Sequence, residues 1–386
     1  MAYEVTATRK RPKSFDELTG QEFVVTTLKK SLESGKLAQA FLFSGSRGVG
    51  KTSMARILAK SLNCVHGPTP EPCGVCSQCQ EIARGTSLDV IEIDGASNTS
   101  VNDVREIKDE VLFAPANSPY KVYIIDEVHM LSNSAFNALL KTIEEPPPYV
   151  IFIFATTELH KVPATIKSRC QQYHFRLIEL EVIKSKLEEA AREQGITIDD
   201  EALFWIAKEA TGSMRDAYTL FDQIAAFSDG RITLEKIREK LGLVGLDQMN
   251  HIAQALAQNK AAEAILACGE ILGSGVSVEQ FIMDLAEYFR ALLFFLQKID
   301  REALLGFHPD RFPPEVKTGF TVPQIEKAVE LLLGLYRSIR YSLNQRLELE
   351  LLLSRMSRLG QYADASELTA RLEQVRQALL DQKKNP

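Results

Sequence analysis

From Ala40 to Phe175 short apolar runs alternate with amphipathic stretches. AFLFS (Ala40 to Ser44), DVIEID (Asp89 to Asp94), KVYIID (Lys121 to Asp126), VIFIFATT (Val150 to Thr157) and QQYHF (Gln171 to Phe175) read as strands. Between them the pattern predicts helices over Lys51 to Asn63, Val101 to Val111 and Ser132 to Glu144, with a short turn at Pro163 to Ser168. Apolar strands separated by helices imply an α/β fold with a parallel sheet covered on both faces.

Beyond Phe175 the strand pattern largely stops. Ile178 to Gln194, Asp199 to Ala210 and Ser213 to Phe227 read as helices, punctuated by Gly195, Gly212 and Gly230. Gly242 to Leu246 reads as a linker. Further helices are expected over Gln248 to Gln258, Ala261 to Leu272, Val278 to Lys298, Pro323 to Ser342 and Gln345 to Gly360, with a Pro-rich break at Phe307 to Val316. The stretch from Ser366 to Lys383 has helical composition. The expected division is therefore 1–177 (α/β), 178–243 (three helices), 244–365 (all-α) and 366–386 (a helical tail).

Composition narrows the classes. A chain of 386 residues suggests two or three domains. With 45% hydrophobic and 25% charged residues it is not a disordered polymer. No apolar run reaches the ~18 residues of a membrane span. MAYEVTATRKRPKSF lacks an apolar signal core, so a cytoplasmic protein is expected. A net charge of −6 excludes a general nucleic-acid glue, and any DNA contact must use a local patch or an assembly.

Four of the six cysteines are crowded into CVHGPTPEPCGVCSQC, as Cys64, Cys73, Cys76 and Cys79. Where disulfides are not expected, four thiols at such short spacing fit a closed tetrahedral structural zinc site. His66 is an alternative ligand. Cys170 and Cys268 are isolated and read as packed residues.

GSRGVGKT, comprising Gly45, Ser46, Arg47, Gly48, Val49, Gly50, Lys51 and Thr52, matches G-x-x-x-x-G-K-[ST] between a predicted strand and a predicted helix. The glycines allow backbone amides to point at phosphate oxygens, and the helix start adds its positive dipole end. Lys51 supplies charge to the β and γ phosphates of ATP, and Thr52 a hydroxyl to Mg2+. VYIIDEVH ends a strand in Asp126 and Glu127. Such acids also serve as helix caps. Paired with the phosphate loop, Asp126 is expected to order Mg2+ and Glu127 to polarise the attacking water. His129 reads as packed or solvated.

The DEVH strand end, the ATTE strand end, SRC (Ser168 to Cys170) and GSMRDA (Gly212 to Ala217) form an ordered set. Together they resemble the AAA+ ATPases of the clamp-loader clade. With the four-cysteine insertion and the RPKSFDELTGQE start, the likeness is to the bacterial gamma/tau family of DNA polymerase III subunits, over about Ala7 to Leu241. NQRLELELLLSRM (Asn344 to Met356) is similar to that family's oligomerisation domain.

The resemblance implies an AAA+ nucleotide-binding domain, a helical lid and an all-α collar. It also implies roles. Thr157 matches the γ-phosphate sensor, with Thr156 an adjacent alternative. Arg169 matches the arginine finger that reaches a neighbour's ATP, and Arg215 the lid sensor. A single arginine is otherwise more often a surface ion-pair member. Arg11 and Pro12 lie in the segment that flanks the adenine, although the basic run there also suits a solvated arm, and Lys10 stands where the family commonly has an aromatic residue. The implied activity is ATP hydrolysis that drives loading of the sliding clamp (beta) onto primer–template DNA. The implied partners are the delta and delta-prime subunits, other copies of the chain, and the single-stranded-DNA-binding machinery of a nucleoid-associated replisome. Arg105 and Lys161 are candidate DNA contacts. The alternatives are a nucleotide-binding scaffold that does not hydrolyse, or another AAA+ DNA-processing ATPase such as a branch-migration helicase or initiator.

Overall fold

In the computed structural model the five apolar runs form one parallel sheet, of strands β1 (Ala40–Ser44), β2 (Val90–Asp94), β3 (Lys121–Asp126), β4 (Val150–Thr156) and β5 (Gln171–His174), in the order β2-β3-β4-β1-β5. The structure describes residues 4–97, 107–108, 110–241, 244–299, 309–362, 369 and 372–377. Ala40 pairs with Phe152 and Ser44 with Thr156, so the C-terminal ends of β1 and β4 lie side by side. Asp94 pairs with Asp126 in the same way.

Side chains alternate across a strand, and this sorts the core into two layers. Phe41, Phe43, Val122, Ile124, Ile151 and Ile153 face one side, and Leu42, Tyr123, Ile125, Phe152 and Phe154 the other. Helix α1 (Glu22–Glu33) and helix α2 (Lys51–Asn63) cover the first face through Leu28, Ile57 and Leu58. The second face is covered by α4 (Asn133–Glu144) through Phe136 and Leu139, after α3 (Ser77–Arg84) has closed the cysteine insertion. β2 is an edge strand and only half-buried, which its polar DVIEID pattern reflects.

Three helices follow: α5 (Leu180–Glu193), α6 (Asp200–Glu209) and α7 (Met214–Ala226). Ser213 caps α7 by accepting the amide of Asp216. Two very short strands, β6 (Thr197–Ile198) and β7 (Arg231–Ile232), pair in parallel alongside them. Among the described residues they are the only strands beyond Phe175, in keeping with the expectation that strands largely stop there. The segment 4–13 packs on this part of the chain. The Thr6 amide donates to Asp222 Oδ2 at 2.6 Å, the Thr6 hydroxyl donates to Oδ1, and Gln194 Nε2 donates to Thr6 Oγ1 at 2.8 Å.

The chain divides into two compact units, Met1–Ile232 and Thr233–Pro386. The second is helical, with α8 (Leu234–Leu241), α9 (Leu246–Ala257), α10 (Ala261–Gly273), α11 (Val278–Leu296), α12 (Pro314–Gly319), α13 (Val322–Ser338) and α14 (Gln345–Met356). Its core is built from Phe281, Leu285, Phe289 and Leu292 of α11 against Ile325, Ala328 and Leu332 of α13. α13 and α14 end earlier than the sequence suggests. Ile339–Tyr341 and Leu359–Gln361 tighten into 3-10 turns instead of continuing the helices. The helix predicted over Val101 to Val111 and the tail from Ser366 lie largely outside the described residues. Among the described residues no helix is long and apolar enough to cross a membrane.

Candidate nucleotide site and four-cysteine cluster

The loop between β1 and α2 turns through left-handed backbone at Gly48 (φ 75°) and Gly50 (φ 102°), which side chains disfavour. A Cβ at Gly48 would also collide with Ser213 Oγ, so the start of α7 sits against the loop. α2 begins at Lys51 with no side-chain cap, leaving its first amides available to an anion. A cleft of about 1020 Å³ opens here, lined by the Arg47–Thr52 backbone and by Arg11, Pro12, Asp126, Glu127 and Arg215.

Lys51 is 5% exposed and donates from Nζ to the carbonyls of Gly45 and Ser46, each at 2.8 Å. Burial lowers its pKa, and the nearby Glu127 and Asp126 carboxylates oppose that. Thr52 Oγ1 donates to Asp126 Oδ2 at 2.6 Å, and Asp126 Oδ1 accepts the Glu127 amide at 2.9 Å. A hydroxyl and a carboxylate in contact at the foot of a phosphate loop are a suitable donor set for Mg2+. Arg11 lies among Arg56, Glu92, Arg215 and Asp126. Burial and the repulsion of Arg56 lower its pKa.

Glu127 adopts a left-handed conformation (φ 44°), unusual for a residue with a side chain. Its Oε2 accepts from Thr157 N at 3.2 Å and from Thr157 Oγ1 at 3.0 Å. Thr156, the adjacent alternative, instead lies 3.0 Å from His129 Nδ1. Arg169 and Lys161, expected at a neighbour's ATP and on DNA respectively, are not among the residues that line this cleft, and neither is Thr157. Arg169 pairs with Glu144 at 2.5 Å and donates to the Thr165 carbonyl at 2.7 Å, with about a third of its side chain exposed. Lys161 pairs with Glu158 on the surface at 3.0 Å. Arg105 lies outside the described residues.

The four cysteines converge. All their Sγ atoms lie within 4.8 Å of one another, and His66 is exposed and apart from them. A tetrahedral shell with metal–sulfur distances of about 2.3 Å has sulfurs about 3.8 Å apart, so the cluster fits zinc. Amides support it: Cys73 N donates to Cys64 Sγ, Cys76 N to Cys73 Sγ and Cys79 N to Cys76 Sγ, each at 3.4 Å. The amides of Val75 and Cys76 pull the Cys73 thiol down to about 6, and burial pushes Cys79 up to about 12.

Sequence reasoning passed over two features. His129 is set between Glu127, Thr156 and Glu158. Lys10 is not a solvated cation, because it pairs with Glu189 at 2.7 Å and Glu193 at 2.5 Å on α5. The only signal for either was its closeness to a motif.

A phosphate loop, an Asp-Glu strand end beside it and a helical lid on a parallel sheet define the P-loop AAA+ class. Comparison with known proteins carries this further. Residues 20–179 match the family "DNA polymerase III, delta subunit", 182–230 "DNA polymerase III clamp loader subunit, ATPase lid domain", and 232–375 "DNA polymerase III subunits gamma and tau domain III". The tau subunit of Escherichia coli K12 DNA polymerase III is 45% identical over 285 residues, covering 74% of this chain and 44% of that one. The gamma subunit of Buchnera aphidicola subsp. Baizongia pistaciae is 40% identical over 287 residues, covering 74% of this chain and 78% of that one. A solved structure of the Thermotoga maritima RuvB Holliday junction branch migration motor aligns with 64% of this chain and 79% of that one, at 22% identity and a TM-score of 0.46. The chain belongs to the gamma/tau family of DNA polymerase III subunits. It spans less than half the length of the Escherichia coli relative.

Proposed function

We propose that the chain is an ATPase subunit of a clamp loader, in which ATP binding and hydrolysis drive loading of a sliding clamp onto primed DNA. The observation that carries this reading is the 2.6 Å contact of Thr52 with Asp126 below the phosphate loop, with Glu127 next in the chain. Backbone amides of residues 45–52 and the Lys51 ammonium bind the phosphates. Thr52 and Asp126 hold Mg2+, which supplies charge neutralisation at the phosphate oxygens when bound. Glu127 accepts a proton from water as its oxygen bonds to the γ-phosphorus and the bond to the ADP oxygen breaks. Thr157 orients Glu127. Arg215 reports nucleotide to the lid, and Arg11 and Pro12 flank the base.

Arg169, which stands away from its own cleft, serves a neighbour's ATP. An arginine finger is worth about 10³–10⁵ in rate, so nucleotide acts between subunits as well as within one. In this reading 1–177 is the nucleotide-binding domain, 178–243 the lid, 244–365 the collar and 366–386 a helical tail. The exposed leucines Leu347 and Leu351, four residues apart on α14, and Leu343 in the turn before it support a collar that packs against other subunits. Zinc on Cys64, Cys73, Cys76 and Cys79 is structural. The proposed partners are delta and delta-prime subunits, further copies of the chain, the clamp and primer–template DNA, with Lys161 and Arg105 as DNA contacts.

The test is ATP hydrolysis by the chain alone and with its partner subunits, clamp and primed DNA. Slow turnover alone, strong stimulation in the full mixture and loss of turnover in Glu127→Gln are expected. Turnover indifferent to both assembly and Glu127→Gln refutes the reading.

A further inference from the structure

His129 lies on the 3-10 turn Val128–Met130, immediately beyond the Asp126-Glu127 pair, and only 6% of its side chain is exposed. Both ring nitrogens meet polar side chains. Nδ1 lies 3.0 Å from Thr156 Oγ1 and 3.3 Å from Glu127 Oε2, and Nε2 lies 3.3 Å from Glu158 Oε1. Glu127 Oε2 is the same oxygen that accepts from Thr157. Thr156 is itself fixed, because its hydroxyl oxygen accepts the Glu158 amide at 3.0 Å. The ring is therefore braced between the ends of β3 and β4, with its Nδ1 edge toward Glu127.

A glutamate carboxyl turns freely about its last torsion unless its oxygens are held. Here one oxygen is approached by an amide, a hydroxyl and an imidazole. We propose that His129 is a positioning residue for Glu127: the imidazole, seated against Thr156 and tied at its far nitrogen to Glu158, sets the direction in which the Glu127 carboxylate presents its other oxygen. The charged groups around the ring are Glu127 and Glu158, and beyond Glu158 stand His160 at 3.5 Å and Lys161 at 3.0 Å. This inference rests on the proposed role of Glu127 as the residue that polarises water. A base displaced by about 1 Å loses on the order of 10²-fold in rate while ground-state binding is untouched, because phosphate contacts are made elsewhere.

Substitution by asparagine or glutamine separates the two edges of the ring. The asparagine side chain is too short to reach Glu158 but carries an amide where Nδ1 stands, whereas glutamine places its amide where Nε2 stands. In the chain assembled with its partner subunits, ATP kcat is expected to fall about ten-fold or more in His129→Ala and His129→Gln, with KM for ATP within about twofold of wild type. His129→Asn is expected to restore most of the loss. Wild-type kcat in His129→Ala, or a loss that lies in KM and is not rescued by His129→Asn, overturns the inference. Imidazole 15N NMR of the full chain reads the contact without any hydrolysis. Glu127→Gln is expected to shift the His129 Nδ1 resonance and Glu158→Gln the Nε2 resonance. An Nδ1 resonance that ignores Glu127→Gln overturns the inference even if the ATPase reading stands. Wild-type turnover in Glu127→Gln defeats the ATPase reading and leaves the NMR result to decide the contact.

Discussion

Lys10 crosses from the N-terminal segment to α5 and grips two glutamates there, and Lys186 adds a second contact to Glu189 at 2.9 Å. The hydrogen bonds from Lys10 and Lys186 hold the Glu189 carboxyl down at about 2. The stabilisation is present above the ordinary glutamate range and is lost as pH falls toward 2. About half of Glu189 is exposed, so salt screens part of it. Carboxyl 13C NMR is expected to give a Glu189 midpoint near 2 in the wild type and a clearly higher one in Lys10→Met. An unchanged midpoint would remove Lys10 as the cause. The phosphate-loop residues could be read from the sequence because a single local motif fixes all of them. The contacts of Lys10 and His129 could not. Glu189 is remote in the chain from Lys10, as is Thr156 from His129, and only the fold brings each pair together.

At the scale of elements, β1, β3 and β4 were legible because each is a near-continuous apolar run buried in the sheet. The less apolar strands, β2 and β5, proved to be the two edges. The helices left unread had specific reasons. α3 is polar and begins inside the cysteine string, where Cys76 replaces an ordinary cap by accepting the Cys79 amide. α1 precedes the first strand and buries Val24, Leu28 and Leu32 in the core, with Val25 half-buried beside them. α8 is short and charged. The cysteine insertion gives the prediction proper to this scale. Metal analysis of the purified chain is expected to return about one equivalent of zinc, and Cys76→Ser to lose most of it. Full metal retention by that variant would mean that another ligand set is in use.

For the whole molecule, the question is which part of the chemistry one chain can supply. Its cleft brings together Lys51, Thr52, Asp126, Glu127 and Arg215, whereas Arg169 is paired with Glu144 elsewhere. Arg169→Ala is therefore expected to leave ATP affinity of the isolated chain within about twofold and to lower turnover of the assembly by about 10³-fold or more. Turnover of the assembly that is insensitive to this change would place the missing positive charge on another residue. The fold class was open to reading because a parallel sheet and an all-helical half leave opposite periodicities in the sequence. Assembly geometry has no such periodic trace.

Helix α2 joins the two chemistries of the first unit. It carries Lys51 and Thr52 at its head, and its C-cap residue is Cys64. A helix of 13 residues is about 20 Å of stiff rod. A metal held on the four cysteines, as proposed, would therefore fix the tail of the rod whose head carries Lys51 and Thr52. The cysteine cluster and the phosphate loop are thus tied to opposite ends of one helix.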